Sequence, residues 1–462
     1  MAGHGARAPA TRAEYDARVT MLRRQLTGLP PDARVRLRKP VSNLFRPRAA
    51  ADGLLDARWF DGVLDVDPAA GTADVLGMTS YQHLVQATLP HGVMPLVVPQ
   101  LKTITLGGAV SGVGIESTSF RHGCPHESVL DMDVLTGDGR VLTVTPDGEH
   151  QALFRGFPNS YGTLGYALRL RVEVQPVRPF VHMRHLRFGD AAACADAIAR
   201  ICAAGSHDGE PVELLDGTWF SPDECYLSLG SFAETAPYTS DYTGQQIYYR
   251  SIQRRAEDWL TTHDYLWRWD TDWFWCSRAF GAQHPVARRL WPRRWRRSDV
   301  YWRVMAAEQR FGVKRRLDRW RGKPDQEAVV QDVEVPVDRL PEFLAFLHDR
   351  TGISPVWLCP VRQRDPTARW DLYQLDPSTV YVNVGFWSSA ALPPGRTDGW
   401  HNRAIEQKVA ELGGRKSLYS TAFYPAEEFW ANYGGPAYQV LKKTYDPGGR
   451  LLDLYAKAVQ RR

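Results

Sequence analysis

Residues Pro99–Gly123 read PQLKTITLGGAVSGVGIESTSFRHG, in which Gly107, Gly108, Gly112, Gly114 and Gly123 are interleaved with Thr, Ser and short apolar residues. Glycine admits positive φ and lets a backbone approach a ligand closely, and successive unengaged N–H groups form a concave site for an anion such as a pyrophosphate. The spacing is neither a GxGxxG opening a helix nor GxxxxGK followed by Ser or Thr, so a Rossmann unit and a P-loop are both poor readings. A run of tight turns with no ligand is the plain alternative. Two further stretches favour a ligand. NSYGTLGYALRL (Asn159–Leu170) places Gly162 and Gly165 just before a strand, and RLRKPVSNLF (Arg36–Phe45) offers Ser42 and Asn43 after a short basic strand.

Outward from this loop, the text between Arg34 and Val177 consists of short apolar runs punctuated by Gly, Pro and Asp, such as GVLDVD, TADVLGM and SVLDMDVL, which read as strands. TSYQHLVQATLPHG (Thr79–Gly92) has helical spacing and a glycine stop. Residues 1–33 read as a peripheral polar arm with a helix from Arg12 to Gln25. Residues 178–430 read as a second α+β lobe, with helices at Ala191–Ala204, Arg339–Arg350 and Trp400–Gly414 and strands at VVQDVEVPV, SPVWLCPV and VYVNVGFW. Residues 431–462 continue a helical stretch expected to pack back toward the first lobe. A chain of 462 residues exceeds what one hydrophobic core usually serves, in keeping with this division.

The six cysteines form no CxxC pair, so neither a disulfide framework nor a zinc site is indicated, and no metal is expected. There is no apolar run of membrane-spanning length, and the charged opening residues lack a signal-peptide core. A cytoplasmic protein, at most peripheral at the inner face of a membrane, is the expectation. Net charge is +5, yet residues 288–323 hold fourteen Lys/Arg against three Asp/Glu, so the rest of the chain is net negative.

LKTITLGGAVSGVGIESTSFRHG, the GTLG of NSYGTLGY, VVQDVEVPV, SPVWLCPV and PAEEFW together resemble the PCMH-type FAD-binding family of vanillyl alcohol oxidase, and within it the Δ24-sterol reductase branch. The likeness runs from about Arg34 to Val459 and is nearest to bacterial members that reduce a 10-methylene fatty acyl chain to the 10-methyl form. It implies an α+β fold: a two-part FAD-binding domain over 34–177 followed by an α+β substrate, or cap, domain. It further implies FAD along Ser42, Asn43, Thr103, Thr105, Leu106, Gly107, Gly108, Gly112, Gly114, Ser117, Thr118 and Gly165, with NADPH as co-substrate. Many relatives tether FAD through a histidine where this chain reads RKPVSN, so noncovalent FAD is expected, with His91 the nearest alternative tether.

Reducing an isolated alkene calls for a positioned acid, a dry pocket, and electron-rich faces that tolerate a tertiary cation. Glu116, the carboxylate within the glycine loop, is the first candidate acid, with Tyr424, Tyr161 and His122 behind it. Glu116 could equally cap backbone N–H groups, and His122 could be a turn residue. Trp267, Trp269, Trp273, Phe274, Trp275, Trp357, Phe386, Trp387 and Phe423 are candidates for the pocket wall or for plain core. YLWRWDTDWFWC (Tyr265–Cys276) holds too many rings for one face of a helix or strand, so some are expected to meet a ligand, membrane or subunit. The Arg- and Trp-rich segment 288–323 has the composition of a helix on an anionic bilayer or of a solvated helix pair; a nucleic-acid fold is not indicated. The implied partners are a phospholipid-linked acyl chain, an anionic membrane surface, and the methyltransferase that makes the methylene intermediate. A sterol side-chain reductase, an alcohol or sugar oxidase of the same fold, and a flavin-free lipid-binding protein are the competing functions.

Overall fold

A computed structural model describes residues 10–39, 45, 51–311 and 324–460; Ser42, Asn43 and positions 312–323 of the basic segment lie outside the described residues. Two antiparallel sheets organise the chain. The first is built around Tyr166–Pro176, which pairs with Thr72–Leu76 on one side and Val129–Leu135 on the other, with Val63–Asp67 and Val141–Val144 outside them. The short strand Val93–Pro95 pairs with the far end of the same central strand. Val35–Arg38 and Gly53–Asp56 form a separate parallel pair.

The second sheet has eight strands, in the order Glu257–Thr261, Phe180–Phe188, Glu224–Ala233, Leu214–Ser221, Val356–Val361, Tyr381–Ala391, Gln326–Pro336 and Arg415–Lys416. Its two faces differ sharply. Side chains alternate along a strand and directly opposed residues share a face, so Leu215, Leu227, Val333, Val335, Val356, Leu358, Val382 and Val384 form one apolar layer. The helices Ala191–Ala204, Leu340–Thr351 and Trp400–Glu411 cover it. The opposite face carries Asp216 facing Ser228, Trp357 facing Gly385, Cys359 facing Asn383, Asp332 facing Gly385 and Glu334 facing Asn383. This row of polar groups and indoles turns toward the first lobe.

The N-terminal helix, Arg12–Thr27, is less peripheral than its composition implies. Thr11 and Glu14 form a capping box, and Tyr15, Leu22 and Leu26 are buried against Leu135, Leu168 and Leu451. The apolar stripe is narrow and its neighbours are charged, so averaged hydropathy hides it. Tyr15 donates to Asp133 (2.6 Å), which Arg169 also holds (2.9 Å) while reaching Asp131 and Asp74. From the C-terminal end, Lys442 Nζ donates to Thr163 O (2.9 Å), Lys457 Nζ to Tyr161 O (2.5 Å) and Arg450 Nη2 to Leu26 O (3.0 Å). The last helices are thereby tied to the first lobe. Tyr15→Phe removes a hydrogen bond to a buried carboxylate and is expected to lower unfolding stability by about 1.5–3 kcal/mol; a urea melt unchanged from wild type would contradict an integral N-terminal helix.

Candidate functional site

The glycine loop does not use its glycines in the way their spacing implies. Gly107, Gly108, Gly112 and Gly114 all lack positive φ; the positive-φ positions of the loop are Val113, at φ 56°, and Gly123, at φ 69°. Gly107 is instead demanded by packing, because a Cβ there would meet Gly77 O at 2.8 Å, and the Gly107 N–H donates to that same carbonyl (2.9 Å). The Leu106 N–H donates to Thr79 O and the Gly108 N–H to Thr105 Oγ1, so the start of the helix Leu106–Gly112 is satisfied within the protein. Beyond the Val113 turn, the N–H groups of Gly114 and Ile115 have no acceptor among the described residues. Thr103, Gly108, Ser111, Gly112 and Gly114 are half-buried and form the open side of the loop, whereas Leu106, Gly107, Ser117 and Thr118 are enclosed. Gly165 is also enclosed; its φ of 149° and the closeness of Leu135 O (2.8 Å to a Cβ) account for it by packing.

The loop then enters the second lobe. Glu116 accepts from Arg268 Nη2 (2.9 Å), which also reaches Asp216 Oδ2 (2.7 Å), and all three are buried. Trp269 and Trp357 each donate an indole N–H to the same Asp216 oxygen (3.1 Å), and the Tyr265 hydroxyl donates to Ser117 Oγ (2.8 Å). Burial raises the Glu116 carboxyl, and the Arg268 guanidinium opposes that shift. Glu116 is therefore part of an ion cluster joining the two lobes. His122 makes a contact to Gln175 (3.1 Å) and is pushed down to about 4, mainly by burial, while His91 is exposed at the end of a turn. Tyr424 is buried and packs edge-on against Tyr433, with ring centroids 5.9 Å apart.

Tyr161 behaves differently. It is half-buried at φ 51°, and its hydroxyl donates to Gly112 O (2.7 Å) and lies 3.3 Å from Ser417 Oγ. The Ser417 N–H donates to Asp332 O (3.0 Å), and Tyr419, two residues on, accepts from Trp387 Nε1 (2.8 Å). Tyr419 packs on Phe45, the residue just past the expected Ser42–Asn43 contact, at 5.7 Å. The glycine loop, Phe45 and the polar row of the second sheet thus converge on one seam.

Several buried polar atoms at that seam lack hydrogen-bond partners among the described residues: Asp332 Oδ1, Glu334 Oε1, and both side-chain polar atoms of Asn383. Leaving such atoms unpaired is costly, and a heterocycle with both donors and acceptors on its rim, such as a flavin, answers those of Glu334 and Asn383. The residues fit FAD on that ground, with the amides of Gly114 and Ile115 available to an anionic portion. Sequence reading missed Asp332, Asn383, Ser417, Tyr419, Arg268 and Asp216. Only QDVEV, with two acids at alternate positions of a strand, carried a readable signal. Of the predicted aromatics, Trp267, Trp269, Trp273, Phe274 and Trp275 are buried in one cluster, and its Phe274 ring lies 4.3 Å from the half-buried Trp387.

Burial raises Glu334 to about 8, with Tyr373 donating to its other oxygen. The folded chain holds this proton more tightly than the unfolded chain, whose glutamates titrate near pH 4. The resulting stabilisation is complete below that value and is lost as pH rises to about 8. Glu334→Gln is expected to gain stability relative to wild type across that window in urea melts at stepped pH; a pH-independent difference would contradict a protonated Glu334.

Residues 30–145 match the sequence profile of the FAD binding domain family. The protein is 21% identical to the Delta(24)-sterol reductase of Arabidopsis thaliana over 439 residues, 87% of this chain and 76% of that one. It is 24% identical to the Delta(24)-sterol reductase of Rattus norvegicus over 406 residues, 82% and 71% of the two chains. Similarity to cytokinin dehydrogenase 7 of Oryza sativa subsp. japonica is higher, at 33%, but spans 130 residues, 28% of this chain and 25% of that one. Among the described residues no group of His, Cys, Asp and Glu is placed to hold a metal, and no helix is long and apolar enough to cross a membrane. The chain therefore carries an FAD binding domain over residues 30–145 within an α+β, PCMH-type architecture, and it is similar over most of its length to Delta(24)-sterol reductases.

Proposed function

We propose that the protein reduces an isolated carbon–carbon double bond in a lipid, with noncovalently bound FAD and with NADPH as electron donor. The substrate we favour is the 10-methylene group of a phospholipid-linked acyl chain, giving the 10-methyl branch; a sterol Δ24 bond is the second candidate. Both alkenes give a tertiary cation on protonation, so one site design serves either. The observation that carries the reading is the aromatic wall at the seam, where Phe274, Trp357 and Trp387 stand together beside the flavin loop. Electron-rich ring faces lower the cost of a nearby positive charge by about 0.5–2 kcal/mol each. Bound and reduced, FAD supplies the hydride. The chain's own residues exclude water, orient the alkene and deliver a proton.

Access to a phospholipid is the second requirement. Val286, Leu290 and Trp295 are exposed, and Arg289, Arg293 and Arg294 share their segment, a combination suited to an anionic membrane surface. A methyltransferase that forms the methylene group would supply the substrate and is a candidate partner.

The reading is tested by an anaerobic visible spectrum of the FAD-loaded protein. NADPH is expected to bleach the flavin, and a 10-methylene stearoyl phospholipid to restore its colour. Bleaching by an alcohol in place of NADPH would instead support an oxidase. For the surface, Leu290→Asp with Trp295→Asp is expected to reduce retention on anionic vesicles at low salt by about tenfold or more; unchanged retention would remove this segment from membrane contact.

A further inference from the structure

Asp332 lies mid-strand on the polar face of the second sheet, directly opposite Gly385. A Cβ at Gly385 would come within 2.6 Å of Asp332 Oδ1, 2.8 Å of Trp387 Cη2 and 3.2 Å of Trp357 Cε3. One carboxyl oxygen and two indole rings therefore pack directly against the Gly385 backbone, where a side chain would push them apart. Phe274 completes the wall, 4.3 Å from the Trp387 ring and 5.5 Å from that of Trp357. Asp332 Oδ1 has no hydrogen-bond partner among the described residues, while the Asn383 and Tyr419 side chains stand beside the same carboxyl group and favour its ionised form. Through Ser417 and Tyr161 the strand at Asp332 is linked to Gly112 on the open side of the flavin loop.

We propose that Asp332 is the acid that protonates the alkene, with Tyr419 holding its carboxyl group and Trp357, Trp387 and Phe274 facing the cation that forms. This assignment rests on the reductase reading. In the step, the Asp332 O–H bond breaks and its proton adds, with the alkene π pair, to the less substituted carbon. The tertiary carbon left electron-poor takes a hydride from the reduced cofactor, and Asp332, now a carboxylate, regains a proton from water. The products balance as alkane and oxidised cofactor.

Glu116 is less suited to the task, because the Arg268 guanidinium favours its ionised form, whereas Asp332 has no such cation against it. Burial raises Asp332 to about 7, so it holds a proton for much of the time at neutral pH. The groups around it are Tyr419, Asn383 and Glu334, with Tyr161 beyond Tyr419, Cys359 two strands away and the Lys416–Glu406 pair on the neighbouring strand.

The test compares FAD-loaded wild type, Asp332→Asn and Asp332→Glu. Asp332→Asn is expected to bind FAD and be bleached by NADPH as wild type is, yet to slow lipid-driven recovery of colour by at least about 100-fold. Asp332→Glu is expected to recover part of that loss. Infrared difference spectra provide a readout independent of turnover: the protonated-carboxyl band of wild type, to which Glu334 also contributes, is expected to lose intensity in Asp332→Asn below about pH 6, and the Asp332 part to fade in wild type above about pH 8. Equal lipid-driven recovery in Asp332→Asn, a carboxyl band of unchanged intensity in that variant, or failure of the variant to hold FAD overturns the assignment and leaves the reductase reading standing. Wild type that is bleached but not recovered by lipid removes the reductase reading itself.

Discussion

Arg268 is fully enclosed, and its guanidinium holds two carboxylates that arrive from different lobes, Glu116 from the glycine loop and Asp216 from the eight-stranded sheet. Taking three charges out of water is expensive and becomes favourable only with every partner in place. A shift of the loop would strand an acid or the base, so the loop is held to the sheet far more firmly than its glycine content implies. The two indole N–H groups on Asp216 and the Tyr265 bond to Ser117 fix the same junction by neutral contacts. With that junction set, the open side of the loop faces the polar row of the sheet at a constant separation.

The second sheet serves two purposes by virtue of its alternation. One layer of aliphatic side chains under three helices supplies the burial that stabilises the lobe. The other layer is free to carry costly groups: Asp332, Glu334, Asn383 and the indoles of Trp357 and Trp387. Rigid strands are good places for such groups, because their spacing does not depend on loop conformation. Two consecutive residues, Trp273 and Phe274, sit at positive φ to bring an aromatic ring onto this layer, a backbone strain that the surrounding packing must offset.

Much of the architecture was legible in the chain because it depends on local pattern. The strand at VVQDVEVPV, the helices at 340–351 and 400–411, and the Thr79–Gly92 helix with its glycine stop all follow from periodicity and turn residues. The site was less legible, for a physical reason. Glu116 meets Arg268 across 152 positions of sequence, and Tyr161 meets Ser417 across 256, so no window of local text contains either pair. The glycines misled in a different way: Gly107 answers to backbone crowding, and the positive φ expected of the loop's glycines falls on Val113 and, of the five, on Gly123 alone. The aromatic tract around Trp269 holds more rings than one face of a helix or strand can carry, and residues 267–275 adopt neither, packing instead as a buried cluster.

Arg288 and Arg296 belong by composition to the most cationic stretch of the chain, yet both side chains are turned inward. Arg288 pairs with Asp272 and donates to the carbonyls of Tyr242, Gly244 and Gln246. Arg296 donates to Thr243, Gly244, Arg288 and Trp291. These two guanidiniums act as struts for a neighbouring turn, and their counter-dipoles are supplied by the protein itself. Any polyanion approaching this face meets fewer mobile counterions to release than a count of arginines implies, so its binding should weaken with added salt along a shallower slope than the sequence alone would lead one to draw.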